Sequence, residues 1–383
     1  MIIVLTDNKL HFNFRPLTLT RPVSEIRFGI LTIKDTWIEF FKQHSKSVNC
    51  FYETVNYLTE KFESTEQYDF KIAGNVKPSD QLIIEILKLK QNESLFCNNK
   101  WIATKGHRED SIVHFSDSSS LYIENIWEIF QLNHSAMQID FDLLTKNKPS
   151  QPISSTNQVL NPNNIFIEEG AKVEFSILNA LNGPIFIGKD AEIMEGSMIR
   201  GGFALLEHGV VKMGAKIYGA TTVGPHCKVG GEISNSIFQA YSNKGHDGFL
   251  GNSIIGEWCN LGADTNSSNL KNNYGKLKIY SYLTKKLEQT NNLFCGVLMG
   301  DHSKTGINTM LNTATTVGVN VNIFGAQFPP KYIPSYNWGG FSDSPKYEIN
   351  KAFEVAQNMM KRRNITLTNI DKKILTHIAD NNL

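Results

Sequence analysis

The stretch Ile187–Val229, IGKDAEIMEGSMIRGGFALLEHGVVKMGAKIYGATTVGPHCKV, sets an aliphatic side chain at every sixth position: Ile187, Ile193, Ile199, Leu205, Val211, Ile217, Val223 and Val229. In a chain that is 41% apolar, filling eight such slots in succession by chance has odds of about one in a thousand. A helix repeats at 3.6 residues and a flat strand at 2, so neither produces a period of six. A coil of hexapeptides does, because each short strand sends one aliphatic inward beneath its counterpart in the next coil. Small residues beside these positions, such as Gly188, Gly219-Ala220, Gly224 and Gly230, suit tight corners. The stretch predicts a parallel β-helix of the left-handed hexapeptide type.

Working outward, Ile167 and Val173 open the coil, and a two-residue offset precedes the main register. A second offset after Val229 resets the register to Ile237, Asn243, Phe249, Ile255 and Leu261, and a third register holds Leu293, Met299, Thr305, Leu311, Val317 and Ile323. Residues 165–328 are therefore expected to form the coil, interrupted by a polar, Lys-rich insertion at 266–292 that should project as a loop or arm. Residues 1–150 read as an α/β domain. Strands are expected at Ile2–Leu5 and Phe70–Ala73, with helices at 32–43, 80–89 and 127–144, the second capped by Ser79. A Pro-, Ser- and Asn-rich segment at 151–164 reads as a linker, and 341–383 as a helical tail capping the open end of the coil.

Bulk properties narrow the partners. A formal charge of +1 with 20% charged residues implies no polyanion-binding field, hence no nucleic acid. No run of 18 apolar residues suggests a membrane span, and the N-terminus MIIVLTDNKLHF lacks a basic leader. Five scattered cysteines without a CxxC pair fit a reduced, cytoplasmic protein. The expected partners are small molecules and further copies of the chain, since prisms of this kind commonly pack as homotrimers.

The chemistry concentrates where the hexads falter, in Tyr241-Ser-Asn-Lys-Gly-His246-Asp-Gly-Phe249. Asn243 occupies an inward slot in this register, and a polar side chain there costs about 1–3 kcal/mol unless paired. His246 stands on the corner beside it. An imidazole, with an unperturbed pKa of about 6.5, suits proton removal from an attacking amine.

The run KGHDGFLGNSIIGEWCNLGAD (residues 244–264), followed by Asn-Asn-Tyr-Gly, resembles the acetyltransferase half of the bifunctional N-acetylglucosamine-1-phosphate uridyltransferase/glucosamine-1-phosphate acetyltransferase family. The resemblance implies acetyl-CoA-dependent N-acetylation of an amino-sugar phosphate, with His246 as general base and Glu232 as an acidic neighbour that orients it. It further implies that Lys216, Asn260, Asn273, Tyr274 and Lys276 (or Lys278) hold the sugar phosphate, with a backbone amide near Gly262 facing the oxyanion. Ser303 and Lys304, just past the insertion, are candidate acyl-CoA contacts, and His302 reads as structural. Phe249 departs from a family tyrosine, and Ser234 from a phosphate-binding lysine. At the N-terminus, Arg15-Pro-Leu-Thr-Leu-Thr-Arg21-Pro22 resembles the R-x-P-L-T segment of sugar-nucleotide pyrophosphorylases, a likeness to a subfamily with a shortened nucleotidyltransferase domain. It implies nucleotide binding through Arg15, Arg21 and Arg27. Mg²⁺ and a nucleoside triphosphate such as UTP enter only if this domain turns over. Against turnover, the glycine-rich loop is absent, Val23 replaces a lysine, and Asn75 replaces a metal-binding aspartate.

Three alternatives stay open: acylation of an already nucleotide-activated amino sugar with the N-domain as a clamp, a ligand-binding trimer without catalysis, and a metal hydratase. The last is disfavoured because the coil histidines are at least eighteen residues apart, and no metal ligands are assigned.

Overall fold

In the computed structural model, which describes residues 1–383, the hexad positions become the inside of a three-sided parallel β-helix. Two faces are nine-stranded parallel sheets, and the third is a six-stranded sheet continued by a strand pair. On the first face Ile167, Ile187, Leu205, Val223, Phe238, Ile255, Met299, Val317 and Ile333 lie in register and are all buried. The second face stacks Val173, Ile193, Val211, Val229, Lys244, Leu261, Thr305 and Ile323. Leu178, Ile199, Ile217, Ile233 and Leu250 do so on the third. Each fully buried aliphatic contributes about 1.5–3 kcal/mol, and the ladders satisfy the backbone between them.

Beyond Val229 the hexad reading needs correction. The corner after Val229 is only Gly230-Gly231, and the next corner is also short, so the inward residues are Ile233, Phe238, Lys244 and Leu250. Ile237, Asn243 and Phe249 therefore do not point into the stack, and the register rejoins the hexads at Ile255 and Leu261. Leu293 is 43% exposed and lies outside the coil, whereas Met299 onward follows the expected register. The coil also takes in more chain than its composition suggested. Gln158–Leu160, within the supposed linker, already pairs with Ile177–Asn179, and the last strands reach Trp338–Gly339. One inward residue per strand is enough to recruit a polar segment, which is why composition hid it.

The N-terminal domain is a mixed six-stranded sheet in the order Asn49–Glu53, Ile2–Thr6, Phe70–Ala73, Lys100–Lys105, Glu93–Cys97, Ser111–Phe115. Helix Ile33–Gln43 is started by Thr32, which accepts from the Asp35 amide, and helix Asp80–Lys88 by Ser79, which accepts from the Leu82 amide. The helical stretch that closes the domain divides into Glu128–Gln131 and Asn133–Thr145.

This domain sits on the outer side of the first face. Phe166, Phe186 and Ala204 pack against Ile30, Met137 and Phe141, while Ile237, Ile254 and Leu298 join the domain's own core. That contact explains why Ile237 is apolar without facing inward. Asn133 fastens the seam: its Oδ1 accepts from the Gly29 amide at 2.9 Å and its Nδ2 donates to the Ala220 carbonyl at 2.8 Å. The insertion does not project. It forms an antiparallel hairpin, Lys278–Ser281 with Lys286–Gln289, and folds back so that Leu277 and Ile279 enter the N-domain core.

The tail forms helices Ile349–Lys361 and Asn369–Asp380. They lie along the corner between the first and second faces, where Ala356, Ile374 and Ile378 meet Trp258, Val319 and Tyr336, rather than across the coil's open end. That corner is an aromatic ladder, with His226 on Tyr241 at 5.2 Å and Tyr241 on Trp258 at 4.2 Å. No helix is long and apolar enough to cross a membrane.

Lys77 and Asp140 form an ion pair at 2.8 Å with both side chains fully buried. Asp140 also accepts from the Ile30 and Leu31 amides, and Lys77 donates to Thr36. Removing one partner leaves an uncompensated charge in the seam. Lys77→Met is expected to lower stability by about 3–5 kcal/mol, read from the urea midpoint, whereas Lys373→Met at the solvent-exposed pair with Glu60 should cost no more than about 1 kcal/mol.

Candidate functional site

His246 lies exposed on the corner between the second and third faces, and its ring makes no hydrogen bond within the chain. Two features fix this corner. The corner beneath it is the glycine pair Gly230-Gly231, where a Cβ on Gly231 (φ +74°) would stand 2.8 Å from the His246 carbonyl oxygen and one on Gly230 would stand 2.8 Å from that of Gly245. The two glycines let the His246 corner settle directly on the coil below. From inside, Lys244 replaces an aliphatic in the stack and is 1% exposed. Its ammonium donates to the carbonyls of Gly230 (3.2 Å), His246 (2.8 Å) and Asp247 (3.2 Å). Three donors meet three acceptors, so the buried charge is satisfied by the backbone that carries the histidine. The polar inward residue expected at Asn243 is thus Lys244. Asn243 sits in the outward column between Lys228 and Asn260, with its own Oδ1 unpartnered.

Beside the corner, Lys216, Glu232 and Phe249 are register neighbours on successive strands of the third face, side chains outward. The Glu232 carboxylate accepts from the Tyr218 hydroxyl at 2.6 Å and makes no hydrogen bond to His246. A groove of about 720 Å³ runs along this face past Ile177, Met198, Lys216 and Tyr218. Lys216 and Glu232 thus stand on adjacent third-face strands beside the corner that carries His246, while Asn260 lies on the second face as the register neighbour of Asn243.

The remaining assignments fall elsewhere. Asn273 and Tyr274 lie on the insertion, Tyr274 being 73% exposed, and Lys276 is tied to Asn291 at 2.7 Å at the hairpin base. A residue the sequence reading passed over, Asn269, reaches the third face and donates to Asn252 at 2.7 Å beside Phe249 and Gly251. Ser303 is fully buried inside the coil wall, donating to the Gly318 carbonyl at 2.7 Å and accepting from the Val321 amide, so it cannot meet an acyl donor. Lys304 points back to the His302 carbonyl at 2.7 Å, and burial brings its pKa down to about 8. His302 is buried in line with Trp258, its Nδ1 without a partner, and burial lowers its pKa to about 4.

Two of the three arginines assigned to a nucleotide are engaged in the seam. Arg21 is buried between Glu257 at 2.8 Å and Asp301; burial opposes its charge, but the two carboxylates outweigh it. Arg27 gives its Nε to the Gln239 carbonyl at 3.0 Å and its Nη1 to the Ile30 carbonyl at 2.5 Å. Only Arg15 has no such partner. A cleft of about 730 Å³ opens at the ends of the parallel strands, past Thr6, Asp7, Lys9 and His11. Asp7 there is saturated by the Val23 amide, the Thr54 hydroxyl and His11. Asn75 donates to the Ile123 carbonyl at 2.8 Å. Neither offers a free carboxylate, so these residues do not fit Mg²⁺.

One spacing argument fails. Eighteen residues is one full coil, so His208 and His226 stack at 4.8 Å despite their separation. They form no group of three or more side chains able to hold a metal.

The fold and the corner together define a protein with a sugar-nucleotidyltransferase-like domain seated on a hexapeptide β-helix. Comparison with known proteins agrees: a family model described as sugar nucleotidyl transferase matches residues 2–149. The chain resembles the proteins named bifunctional protein GlmU. That of Synechococcus elongatus is 24% identical over 247 residues, covering 59% of this chain and 50% of that one. That of Trichormus variabilis is 22% identical over 248 residues, covering 59% and 51%. The Methanocaldococcus jannaschii protein is 36% identical over 89 residues, or 23% of this chain and 21% of that one. The chain spans about half the length of the longest-matching of these relatives. A solved structure of UDP-N-acetylglucosamine acyltransferase from Campylobacter jejuni covers 59% of this chain and 95% of its own at 12% identity, but its TM-score of 0.13 is too low to carry an argument.

The Lys244 cluster gives a pH prediction. Burial lowers its pKa from 10.5 to about 8, against the opposing pull of Asp247 and Asp264. The ionised form is thus disfavoured in the folded state, a cost fully present below about pH 8 that disappears as the pH rises toward 10.5. The stability of the wild type relative to Lys244→Met is expected to rise between pH 8 and 10, measured by thermal unfolding.

Proposed function

We propose that the protein transfers an acetyl group from acetyl-CoA to the amine of an amino-sugar phosphate at the His246 corner, working as a homotrimer. The observation that carries this reading is the unpaired, solvent-facing imidazole of His246, held by Lys244 and the Gly230-Gly231 step beside the Lys216–Glu232–Phe249 column. In the proposed course the neutral imidazole removes the proton from the acceptor amine as its nitrogen attacks the thioester carbonyl. The C–S bond then breaks, the imidazolium returns its proton to the departing sulfur so that CoA leaves as the thiol, and Lys216 neutralises the sugar phosphate as a point charge without the fork of an arginine. Glu232 favours the positive imidazole that forms, from the adjacent strand. CoA has no assigned lysine or serine anchor once Ser303 and Lys304 are set aside.

The trimer is supported by the outer side of the third face, where the register neighbours Ile177 (41% exposed) and Met198 (43%) stand with Leu160 (51%) and Tyr218 (39%), more apolar than a free surface needs to be. The first face is covered by the N-domain and the second presents the mostly polar column Lys172, Glu192, Val210, Lys228 and Asn243, so lateral association is left to the third. For the N-domain we favour nucleotide or ligand binding without turnover, because Arg21 and Arg27 are spent on the seam and Asn75 ends the strand without a carboxylate.

The test is thiol release from acetyl-CoA with glucosamine-1-phosphate as acceptor. His246→Ala should reduce the rate by about 10²–10⁴ while light scattering still reports a trimer. Retained activity in that variant would refute the reading. Adding UTP and Mg²⁺ should liberate no pyrophosphate; its release would overturn the non-catalytic view of the N-domain.

A further inference from the structure

Between the loop Phe12–Arg15, the segment Asn125–Trp127 and the insertion hairpin lies a cavity of about 500 Å³. Arg15 on its wall is 7% exposed, and its guanidinium rests 4.1 Å above the centre of the Phe12 ring. Its side chain makes no hydrogen bond and no ion pair, and the buried Nε has no partner at all. This is unlike Arg21 and Arg27, whose donors are taken by the seam. Burial lowers the Arg15 pKa, and the groups opposing that shift are the tyrosines Tyr57, Tyr282 and Tyr332, with no carboxylate among them. Glu288, the one acid on the cavity wall, accepts from Thr284 at 2.6 Å. A guanidinium left inside a protein without a counter-charge is costly, so something outside the chain is expected to meet it.

The opposite wall has the same want. Asn292 Oδ1 is fixed by the Gln131 amide at 3.0 Å, which aims its Nδ2, and that buried Nδ2 has no partner. Both unmet groups are donors, one from the N-domain and one from the insertion. The occupant must therefore bring acceptors and negative charge. Donors from two separate walls favour the three terminal oxygens of a phosphate monoester over the two of a carboxylate. The volume exceeds what phosphate alone would fill, and Tyr280 and the Asn125 amide oxygen line the remainder, facing a hydroxylated body.

We propose that this cavity is a sugar-phosphate binding site, clamped between the two domains by Arg15 and Asn292 and separate from the His246 corner. The site does not rest on the acyl-transfer reading.

The experiment is calorimetric titration of the full chain carrying Lys216→Met, which removes the phosphate contact proposed at the coil corner. Glucosamine-1-phosphate, inorganic phosphate and glucosamine are compared. Saturable binding of the sugar phosphate is expected, weaker binding of inorganic phosphate, and none of glucosamine. Arg15→Met, which keeps the length of the side chain over Phe12, should weaken sugar-phosphate binding at least tenfold. Asn292→Asp, on the other wall, should weaken it comparably without touching the arginine, which keeps the test valid if Arg15→Met misfolds. His246→Ala should leave it unchanged. No saturable binding, affinity unchanged from the parent protein in the Arg15 and Asn292 variants, or loss of binding in His246→Ala would each overturn the proposal. Equal affinity for inorganic and sugar phosphate would overturn the sugar part.

Discussion

Everything in this molecule hangs on one inward side chain per short strand. The columns headed by Ile167, Val173 and Leu178 supply the apolar burial that holds the coil, and the ladders between coils leave few degrees of freedom for anything else. The constraint is strict about the stack and permissive about the corners. Gly230-Gly231 shortens one corner, and the chain between Ser267 and Val297 leaves for an entire hairpin, yet Ile255 still stacks on Met299. Chemistry can therefore be placed at corners at little expense to the core. The exception is Lys244, where the stack itself gives up an aliphatic so that an ammonium can hold the backbone of His246.

This division between stack and corner decides what the sequence could reveal. The period of six from Ile187 to Val229 is a direct print of the stack and was readable without error. Beyond Val229 it misplaced the inward residue by one, because corner lengths change and nothing in hydropathy marks a corner. Phe238 and Ile237 are equally apolar, but only contact with Ile254, Leu298 and the N-domain separates outside from inside. The caps Thr32 and Ser79 were legible because they are local. Docking of the tail and folding back of the insertion were not, since both depend on surfaces made by distant segments.

The candidate site divides in the same way. Lys216 and Glu232 are neighbours across one ladder beside the His246 corner, because equivalent positions of successive coils lie one above the other. Ser303 fails because its side chain turns into the coil just ahead of the strand Lys304–Thr305, where the Gly318 carbonyl and the Val321 amide occupy its hydroxyl. Arg21 and Arg27 fail for a different reason. Their charge suggested phosphate, but Asp301, Glu257 and Gln239 lie far away in sequence and close in space. Arg15, chosen on the same grounds, is the one that the fold leaves unsatisfied.

The N-domain's seat on the first face has a consequence for how this chain can be divided. Phe166, Phe186, Ile237, Ile254 and Leu298 make the outside of that face nearly as apolar as its inside. A coil cut away near residue 150 would carry that strip bare, and the separated N-domain would lose part of its own core. The boundary that composition draws between two modules is thus not a thermodynamic boundary. Each half alone would expose apolar surface that the other covers, and any exchange of one against a similar module would have to carry the matching strip with it.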